Sequence, residues 1–204
     1  MKFSLLPHSV PRRITDPIVF LLAKAHITPN ALTLVGVLGS AGAAVLLARG
    51  QFLAGGIVVL AAGALDVLDG ALARATGQVT RFGAVFDSVM DRASEAAVLF
   101  GLLYYYAGRD AREESLLAFA ALAGSMLVSY IRARGEILGL QIKEGLFTRA
   151  ERVIVIGVGS IIDQVRIALW ILAVLANLTA LQRLYLVWRK TRQGAGKEEP
   201  VDTP

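Results

Sequence analysis

The sequence predicts an all-α integral membrane protein, with six transmembrane helices preceded by an N-terminal interfacial amphipathic helix. Hydrophobic residues make up 55% of the 204 residues, and the mean hydropathy is +0.60, which is too apolar for an ordinary soluble domain. A transmembrane helix needs roughly 20 mostly apolar residues, and six segments approach that length. These segments are 31–49, 52–73, 84–107, 115–138, 150–163 and 165–188.

The boundaries and packing of these spans have local signals in the sequence. The fifth segment is short, and Asp163 and Arg166 predict a turn between it and the sixth. Small residues let transmembrane helices approach closely, so we expect close packing within the monomer, with a dimer interface as the alternative. The small residues of the first two spans are Gly36, Gly39, Gly42, Gly55, Gly56 and Gly63.

The segment 12–27 precedes the first span and mixes apolar residues, such as Ile18 and Leu21, with Arg12, Arg13 and Lys24. This pattern is typical of an amphipathic helix that lies in the membrane interface. The alternative is that the segment is only the solvated beginning of the first span.

The distribution of Lys and Arg predicts the topology, because an even number of spans puts both termini on one side. Four of the 21 basic residues, Arg49, Arg109, Arg112 and Arg166, fall on the opposite side, and the other 17 fall on the side of the termini. Cytoplasmic loops carry an excess of Lys and Arg, so we expect a multi-pass cell-membrane protein with its termini in the cytoplasm. One transmembrane domain, 1–193, would precede a disordered cytoplasmic tail, 194–204.

Composition also excludes some functions. The net charge of +5 does not indicate a nucleic-acid partner, because no basic face with interleaved aromatic residues accompanies it. The absence of cysteine excludes disulfides and thiolate chemistry.

Four aspartates, Asp66, Asp69, Asp87 and Asp91, lie within 26 residues of otherwise apolar sequence. The first pair is spaced i, i+3 and the second i, i+4, so each pair lies on one helix face. Carboxylates between apolar runs repel each other and are costly to desolvate, so cations are expected among them. Four oxygen ligands without nearby Cys or His suit Mg²⁺ or Mn²⁺, and they suffice for two ions.

We expect these pairs at the cytoplasmic ends of the second and third spans, joined by a turn over residues 75–83. Gly70 lacks a Cβ, which lets a ligand approach the backbone, and Arg74 lies two turns beyond Asp66, where it can reach a metal-bound phosphate. Two divalent ions beside an Arg are equipped for phosphoryl transfer. The alternative is a set of structural ion pairs, Asp66 with Arg74 and Asp91 with Arg81 or Arg92.

The aspartates form the string Asp-x2-Asp-Gly-x2-Ala-Arg-x8-Gly-x3-Asp-x3-Asp, which begins at Asp66 and ends at Asp91. It resembles, at every fixed position, the signature of the CDP-alcohol phosphotransferase family. This resemblance implies six transmembrane helices after an interfacial helix, and usually a homodimer. It also implies that an alcohol displaces CMP from a CDP-linked lipid with the help of two divalent ions, Mg²⁺ or Mn²⁺.

By the same resemblance, Asp66, Asp69 and Asp87 are metal ligands, and Asp91 is both a ligand and the general base. The CDP group would be held by residues of the motif and of the start of the first span. These residues are Gly70, Arg74, Thr80, Asn30, Ala31, Leu32 and Thr33.

Segments 129–136 and 147–152 resemble motifs of the phosphatidylinositol-phosphate synthases within that family. Gly135 and Ala150 depart from the usual residues. This likeness implies CDP-diacylglycerol as donor and L-myo-inositol 1-phosphate (1D-myo-inositol 3-phosphate) as acceptor. The acceptor phosphate would be bound by Arg132, Arg134, Arg152 and Arg183, with Lys143 and Arg149 as further cations on the same side.

Other functions remain open at this point. Glycerol 3-phosphate as acceptor would make the chain a phosphatidylglycerophosphate synthase, and an archaeol lipid would make it an archaetidylinositol-phosphate synthase. A membrane prenyltransferase also uses aspartates with Mg²⁺, but its motif lacks the Gly-x2-Ala-Arg continuation. A cation transporter could place carboxylates in a bundle without needing Gly70 or Arg74.

Overall fold

The computed structural model describes residues 12–142 and 145–194, and every regular element in these ranges is an α-helix. The all-α prediction is therefore confirmed, and α2 to α7 follow the six predicted segments in order. The helices are α1 (Arg12–Lys24), α2 (Pro29–Ala48), α3 (Phe52–Thr76), α4 (Arg81–Ala107), α5 (Arg112–Ile137), α6 (Arg149–Ile161) and α7 (Val165–Gly194).

Four of these helices, α2, α3, α5 and α7, are long and apolar enough to cross a membrane. Of the six helices that follow the predicted segments, α4 and α6 do not meet this criterion. α4 carries five charged residues within its first 15 positions, Arg81, Asp87, Asp91, Arg92 and Glu95. α6 has 13 residues, which rise about 20 Å against a hydrocarbon core of about 30 Å. The part of the chain seen in the structure thus has four candidate spans, and the count of six stays a prediction.

The N-terminal segment forms a helix of its own and not the beginning of the first span. α1 ends at Lys24, and His26, with a φ of 55°, turns the chain before α2 begins at Pro29. α1 packs against α3. Its location in a membrane interface stays a prediction.

α7 continues through Gly194, and the rest of the predicted disordered tail lies outside the described residues. The division into a domain, 1–193, and a tail, 194–204, stays a prediction. The turn predicted at Asp163 is present, between α6 and α7, with a φ of 57° at that residue.

The turn between α3 and α4 is shorter than the predicted 75–83. α3 continues to Thr76 and is ended by Gly77, which adopts a left-handed conformation with a φ of 68°. α4 begins at Arg81, after Thr80, whose hydroxyl accepts a hydrogen bond from the Gly83 N–H at 2.9 Å. Gly83 therefore lies in the first turn of α4 and is not a turn residue.

The helices pack so that α2 contacts both α3 and α4, while α3 and α4 contact each other little. α6 packs on α3, α5 packs on α4 and α7, and α7 also contacts α6. The buried core includes Leu47, Leu99, Leu169 and Leu172. Because α2 holds α3 and α4 apart, a gap remains between them, and α6 borders it from the other side.

Only some of the predicted small-residue contacts are close. A Cβ on Gly56 would lie 2.6 Å from the Gly157 carbonyl oxygen, so α3 and α6 approach at backbone distance there. A Cβ on Gly101 of α4 would lie 2.4 Å from the Ala44 carbonyl oxygen of α2. A Cβ on Gly42 would meet nothing within 4 Å.

We expect Gly101→Ala to destabilise the protein by about 1–3 kcal/mol, the range typical of overpacked sites, because the new methyl group collides with the backbone of α2. Gly42→Ala is the matched control, since it gains the same helix propensity and meets open space. Thermal unfolding in detergent measures both variants. Equal melting temperatures for the two would contradict the close approach of α2 and α4.

Candidate active site and metal centre

Three carboxylates meet in the gap between α3 and α4. Asp66 and Asp69 of α3 and Asp87 of α4 each place one oxygen so that all three atoms lie within 4.8 Å of one another. The i, i+3 spacing sets the first two on one face of α3, and the short turn at 77–80 reverses the chain so that Asp87 returns to the same level. The structure thus brings together three of the four predicted ligands.

This donor set fits a hard divalent cation. Asp69 is 4% exposed, and its Oδ2 accepts a hydrogen bond from Thr33 Oγ1 at 2.6 Å, which orients the carboxylate. The group contains no His or Cys, and an all-carboxylate set is what Mg²⁺ and Mn²⁺ prefer. Three carboxylates this close repel strongly unless a cation lies among them.

Asp91 lies beside this group and faces Arg149, which was predicted as a further cation for the acceptor phosphate and not as a partner of the aspartates. Its Oδ1 lies 2.8 Å from Arg149 Nη1, without hydrogen-bond geometry, and the same Nη1 donates to Asp66 Oδ2. The alternative ion pairs with Arg74, Arg81 or Arg92 are therefore wrong for Asp66 and Asp91. Arg149, from the first turn of α6, joins the two aspartates across the gap.

Arg152, predicted to bind the acceptor phosphate, is instead engaged with Glu95. Its Nε and Nη2 donate to the two carboxylate oxygens of Glu95 at 2.5 and 2.9 Å, and its Nη1 donates to the Phe147 carbonyl at 3.2 Å. Both side chains are almost fully buried, at 2% and 3% exposure. A signal for Glu95 did exist, because a single acid one turn after Asp91 in an apolar run is an intramembrane ionisable residue.

Five of the seven predicted CDP-binding residues lie at two helix N-termini. Asn30, Ala31, Leu32 and Thr33 form the first turn of α2, which Thr28 caps by accepting from the Ala31 N–H at 3.3 Å. The nearby start of α4 is capped by Thr80, and a Cβ on Gly83 would lie 3.5 Å from Asn30 Oδ1. Helix N-termini present free N–H groups and positive potential, which favour phosphates.

Gly70 and Arg74 lie on α3 at the mouth of the gap. A Cβ on Gly70 would lie 3.3 Å from Arg74 Nη1, so the missing side chain makes room for the Arg74 guanidinium itself. Arg74 is exposed and its charge is available to an anion that enters from this end.

The remaining predicted acceptor arginines lie near the ends of α5 and α7. Arg132 Nε donates to Glu136 Oε1 at 2.8 Å, and both side chains are about half exposed. Arg134 is exposed. Arg183 is buried, donates to the Val128 carbonyl at 2.9 Å, and is close enough to Arg132 and Arg152 for their charges to interact. Lys143 lies outside the described residues.

The site is recessed from the helix ends. The ten residues from Asp66 to the end of α3 at Thr76 rise about 15 Å. A cavity between α2, α3, α4 and α6 extends beneath the carboxylates and is lined by Asp66, Asp91, Glu95 and Arg149, among others. Carboxylates for cations, arginines and two helix N-termini around one recess are suited to a substrate that carries several phosphates.

Comparison with known proteins matches this chain to the family model described as CDP-alcohol phosphatidyltransferase, over residues 26–190. A phosphatidylinositol phosphate synthase of Mycobacterium marinum is 39% identical over an alignment of 187 positions that covers 86% of this chain and 80% of that protein. An archaetidylinositol phosphate synthase of Pyrococcus horikoshii is 41% identical over 176 residues, covering 85% of this chain and 90% of that protein.

Solved structures of the Mycobacterium tuberculosis phosphatidylinositol phosphate synthase have the same fold. The structure with CDP-DAG bound gives a TM-score of 0.79 at 37% identity and covers 86% of this chain and 94% of that one. The structure in complex with manganese and citrate gives a TM-score of 0.79 at 36% identity, with 85% and 88% coverage. Motif, fold and matched length agree, and the chain belongs to the CDP-alcohol phosphatidyltransferase family.

Proposed function

We propose that this enzyme transfers the phosphatidyl group of CDP-diacylglycerol to a hydroxyl of L-myo-inositol 1-phosphate, and that phosphatidylinositol phosphate and CMP are the products. The observation that carries this proposal is the cluster of Asp66, Asp69 and Asp87 beside Asp91 and two helix N-termini. Relatives named phosphatidylinositol phosphate synthase support it over most of the chain.

We propose Mg²⁺ as the resident cation, with two ions per site and Mn²⁺ as a substitute. Asp66, Asp69, Asp87 and Asp91 would hold them, since four carboxylates offer enough oxygens for both. The manganese complex of the Mycobacterium tuberculosis protein supports a divalent ion in this family. When bound, such ions would neutralise the pyrophosphate and stabilise the charge that develops during phosphoryl transfer.

The donor would enter with its CDP group between the starts of α2 and α4. Asn30, Thr33 and Thr80 lie at these N-termini, and the backbone N–H groups of Ala31 and Leu32 belong to the same first turn. The Arg74 side chain lies over Gly70, and its planar guanidinium would donate hydrogen bonds to phosphate oxygens.

Asp91 would act as the general base. Its carboxylate takes the proton from the acceptor hydroxyl while that oxygen forms a bond to the phosphorus that carries the lipid. The bond from this phosphorus to the CMP oxygen breaks, and CMP leaves with the electron pair.

The acceptor phosphate would be bound by cations at the same end of the bundle. Arg132, Arg134 and Arg183 remain candidates, and Arg149 joins them because it already reaches the aspartates. Arg152 would contribute only the guanidinium N–H groups that Glu95 and Phe147 leave free.

A second candidate differs only in the lipid. The archaetidylinositol phosphate synthase of Pyrococcus horikoshii is 41% identical to this chain, so a CDP-linked archaeol is the alternative donor. The polar site described above does not distinguish acyl from isoprenoid chains.

We also propose that the protein is a multi-pass homodimer of the cell membrane with six spans, that α1 is interfacial, and that residues 1–193 form one domain before a disordered tail, 194–204. The site opens at the end of the bundle that carries the 77–80 turn, and the excess of Lys and Arg at that end supports a cytoplasmic location.

Light scattering of the purified protein measures its oligomeric state. A monomeric mass would contradict the proposed homodimer.

Asp66→Asn, Asp69→Asn and Asp87→Asn should each abolish CMP release, because each removes a charged oxygen ligand from cations that prefer carboxylates. EDTA should abolish CMP release by the native enzyme, and added Mg²⁺ or Mn²⁺ should restore it. Asp110→Asn, in the exposed turn between α4 and α5, is the matched control and should keep its activity. Full turnover in EDTA would exclude the metal mechanism.

CMP release from CDP-diacylglycerol should require L-myo-inositol 1-phosphate, and neither free inositol nor glycerol 3-phosphate should replace it. A charge-assisted hydrogen bond contributes about 1.5–3 kcal/mol, so Arg132→Ala should raise the acceptor KM roughly 10- to 100-fold with little change in the KM for the donor. Arg166→Ala at the other end of the bundle is the control. Turnover with free inositol at the same KM would refute the phosphate pocket.

Asp91→Asn should lower kcat by at least about 10²- to 10⁴-fold, the usual contribution of a general base, and by more if a metal ion is lost with this ligand. Binding of CDP-diacylglycerol, measured without acceptor, should persist because the residues at the N-termini of α2 and α4 are unchanged. Near-normal kcat in this variant means that another group takes the proton.

Single-cysteine labelling in this cysteine-free chain tests the topology. Gly108→Cys, between α4 and α5, should react with an impermeant reagent added to intact cells, because that turn is expected outside. Gln78→Cys, in the turn beside the site, should react only after the membrane is opened. The reverse pattern would invert the proposed orientation.

A further inference from the structure

The ion pair between Glu95 and Arg152 is the most deeply buried charged contact among the described residues. The guanidinium binds both oxygens of the carboxylate, and the two side chains are 3% exposed or less. The free-energy cost of removing two charges from water is comparable to the gain from their attraction, and well-packed apolar residues often stabilise such a site equally well. Stability is therefore a weak reason for this pair, which points to a role in positioning.

The pair lies one helical turn from the proposed catalytic centre on both helices. Glu95 follows Asp91 by four residues on α4, and Arg152 follows Arg149 by three residues on α6, so each pair shares a helix face. The two ion pairs, Asp91 with Arg149 and Glu95 with Arg152, are thus consecutive contacts between α4 and α6.

The first turn of α6 has further restraints that depend on Arg152. Its Nη1 also donates to the Phe147 carbonyl at 3.2 Å, in the loop that leads into α6. Thr148 and Glu151 form a capping box around that loop. Arg152 therefore fixes both the start of α6 and the preceding loop against α4. This contact sets how far along the bundle axis the Arg149 side chain lies.

In this position, the Arg149 guanidinium competes with a divalent cation for the same carboxylates. It contacts Asp66, one of the three clustered ligands, as well as Asp91. Its Nε is buried and has no hydrogen-bond partner among the described residues, so the ion-pair contacts of the guanidinium there are those with the two carboxylates. A divalent ion placed among these oxygens would repel the guanidinium and displace it.

We propose that Glu95 is a positioning residue that acts through Arg152 to hold Arg149 against Asp66 and Asp91 as an internal counter-ion, which a divalent cation must displace to bind. This inference rests on the metal site of the proposed function. Arg149 keeps the carboxylates from repelling one another, and its release frees a cation at the place where substrate phosphates arrive.

The test is Mn²⁺ binding to the purified protein without substrates, followed by electron paramagnetic resonance. Arg149→Gln should tighten Mn²⁺ binding by about 5-fold or more, the lower end of typical coupling between sites, because the competing charge is gone. The double variant Glu95→Met with Arg152→Met should tighten it in the same direction, since Arg149 is no longer held. Combining all three substitutions should add nothing beyond Arg149→Gln alone.

The matched control is Glu113→Met with Arg166→Met, which removes an exposed ion pair between α5 and α7 at the far end of the bundle. This variant should bind Mn²⁺ like the native protein. If the buried double variant does not fold, Glu95→Asp serves instead, because it keeps the charge pair, shortens the reach to Arg152 and should also tighten Mn²⁺ binding.

Unchanged or weaker Mn²⁺ affinity in folded Glu95 and Arg152 variants would overturn the positioning role, and so would additive effects with Arg149→Gln. Failure of the native protein itself to bind Mn²⁺ would instead refute the metal site of the proposed function. The two failures are therefore distinguishable in one titration series.

Discussion

The cost of holding several carboxylates inside an apolar helix bundle governs this structure. Asp66, Asp69 and Asp87 bring their oxygens within 4.8 Å of one another, in a medium where unpaired charges are strongly disfavoured. Cations that lie among the carboxylates stabilise this arrangement by neutralising their mutual repulsion. The fold provides one such cation, Arg149. The carboxylates are also suitable ligands for divalent metal ions.

Several features of the fold follow from that requirement. α2 packs against both α3 and α4 and keeps them apart, which leaves a gap for the carboxylates and for what they bind. α6 is short, so its N-terminus begins at the level of the aspartates, about 15 Å below the end of α3, and not at the bundle end. A full-length span in this position would carry Arg149 past the aspartates.

The site combines a general phosphate-binding end with a more specific polar interior. The N-termini of α2 and α4, with Thr28 and Thr80 as caps, present N–H groups that any nucleoside diphosphate lipid could use. This generality is consistent with a family whose members include both phosphatidylinositol and archaetidylinositol phosphate synthases. Discrimination between acceptors would then depend on the arginines of α5, α6 and α7.

The sequence by itself determined the all-α class, the order of the helices α2 to α7 and the aspartate motif. Apolar runs near 20 residues and carboxylates at i, i+3 and i, i+4 are local signals that need no tertiary information. The predicted turn, 75–83, is longer than the observed one, because α3 continues to Thr76 and ends at a left-handed Gly77. Hydropathy does not locate the C-terminal end of α3, since the helix continues beyond its apolar part.

Only the tertiary structure decided which charges meet. Arg74, Arg81 and Arg92 are near the aspartates in sequence, yet Arg149, 83 residues from Asp66, forms the ion pair. Arg152 was grouped with the phosphate-binding arginines by its motif, whereas Glu95, 57 residues away, holds it. The rotation and depth of each helix decide which side chains meet in a bundle. Both depend on packing between helices that are distant in sequence, so no local sequence pattern specifies them.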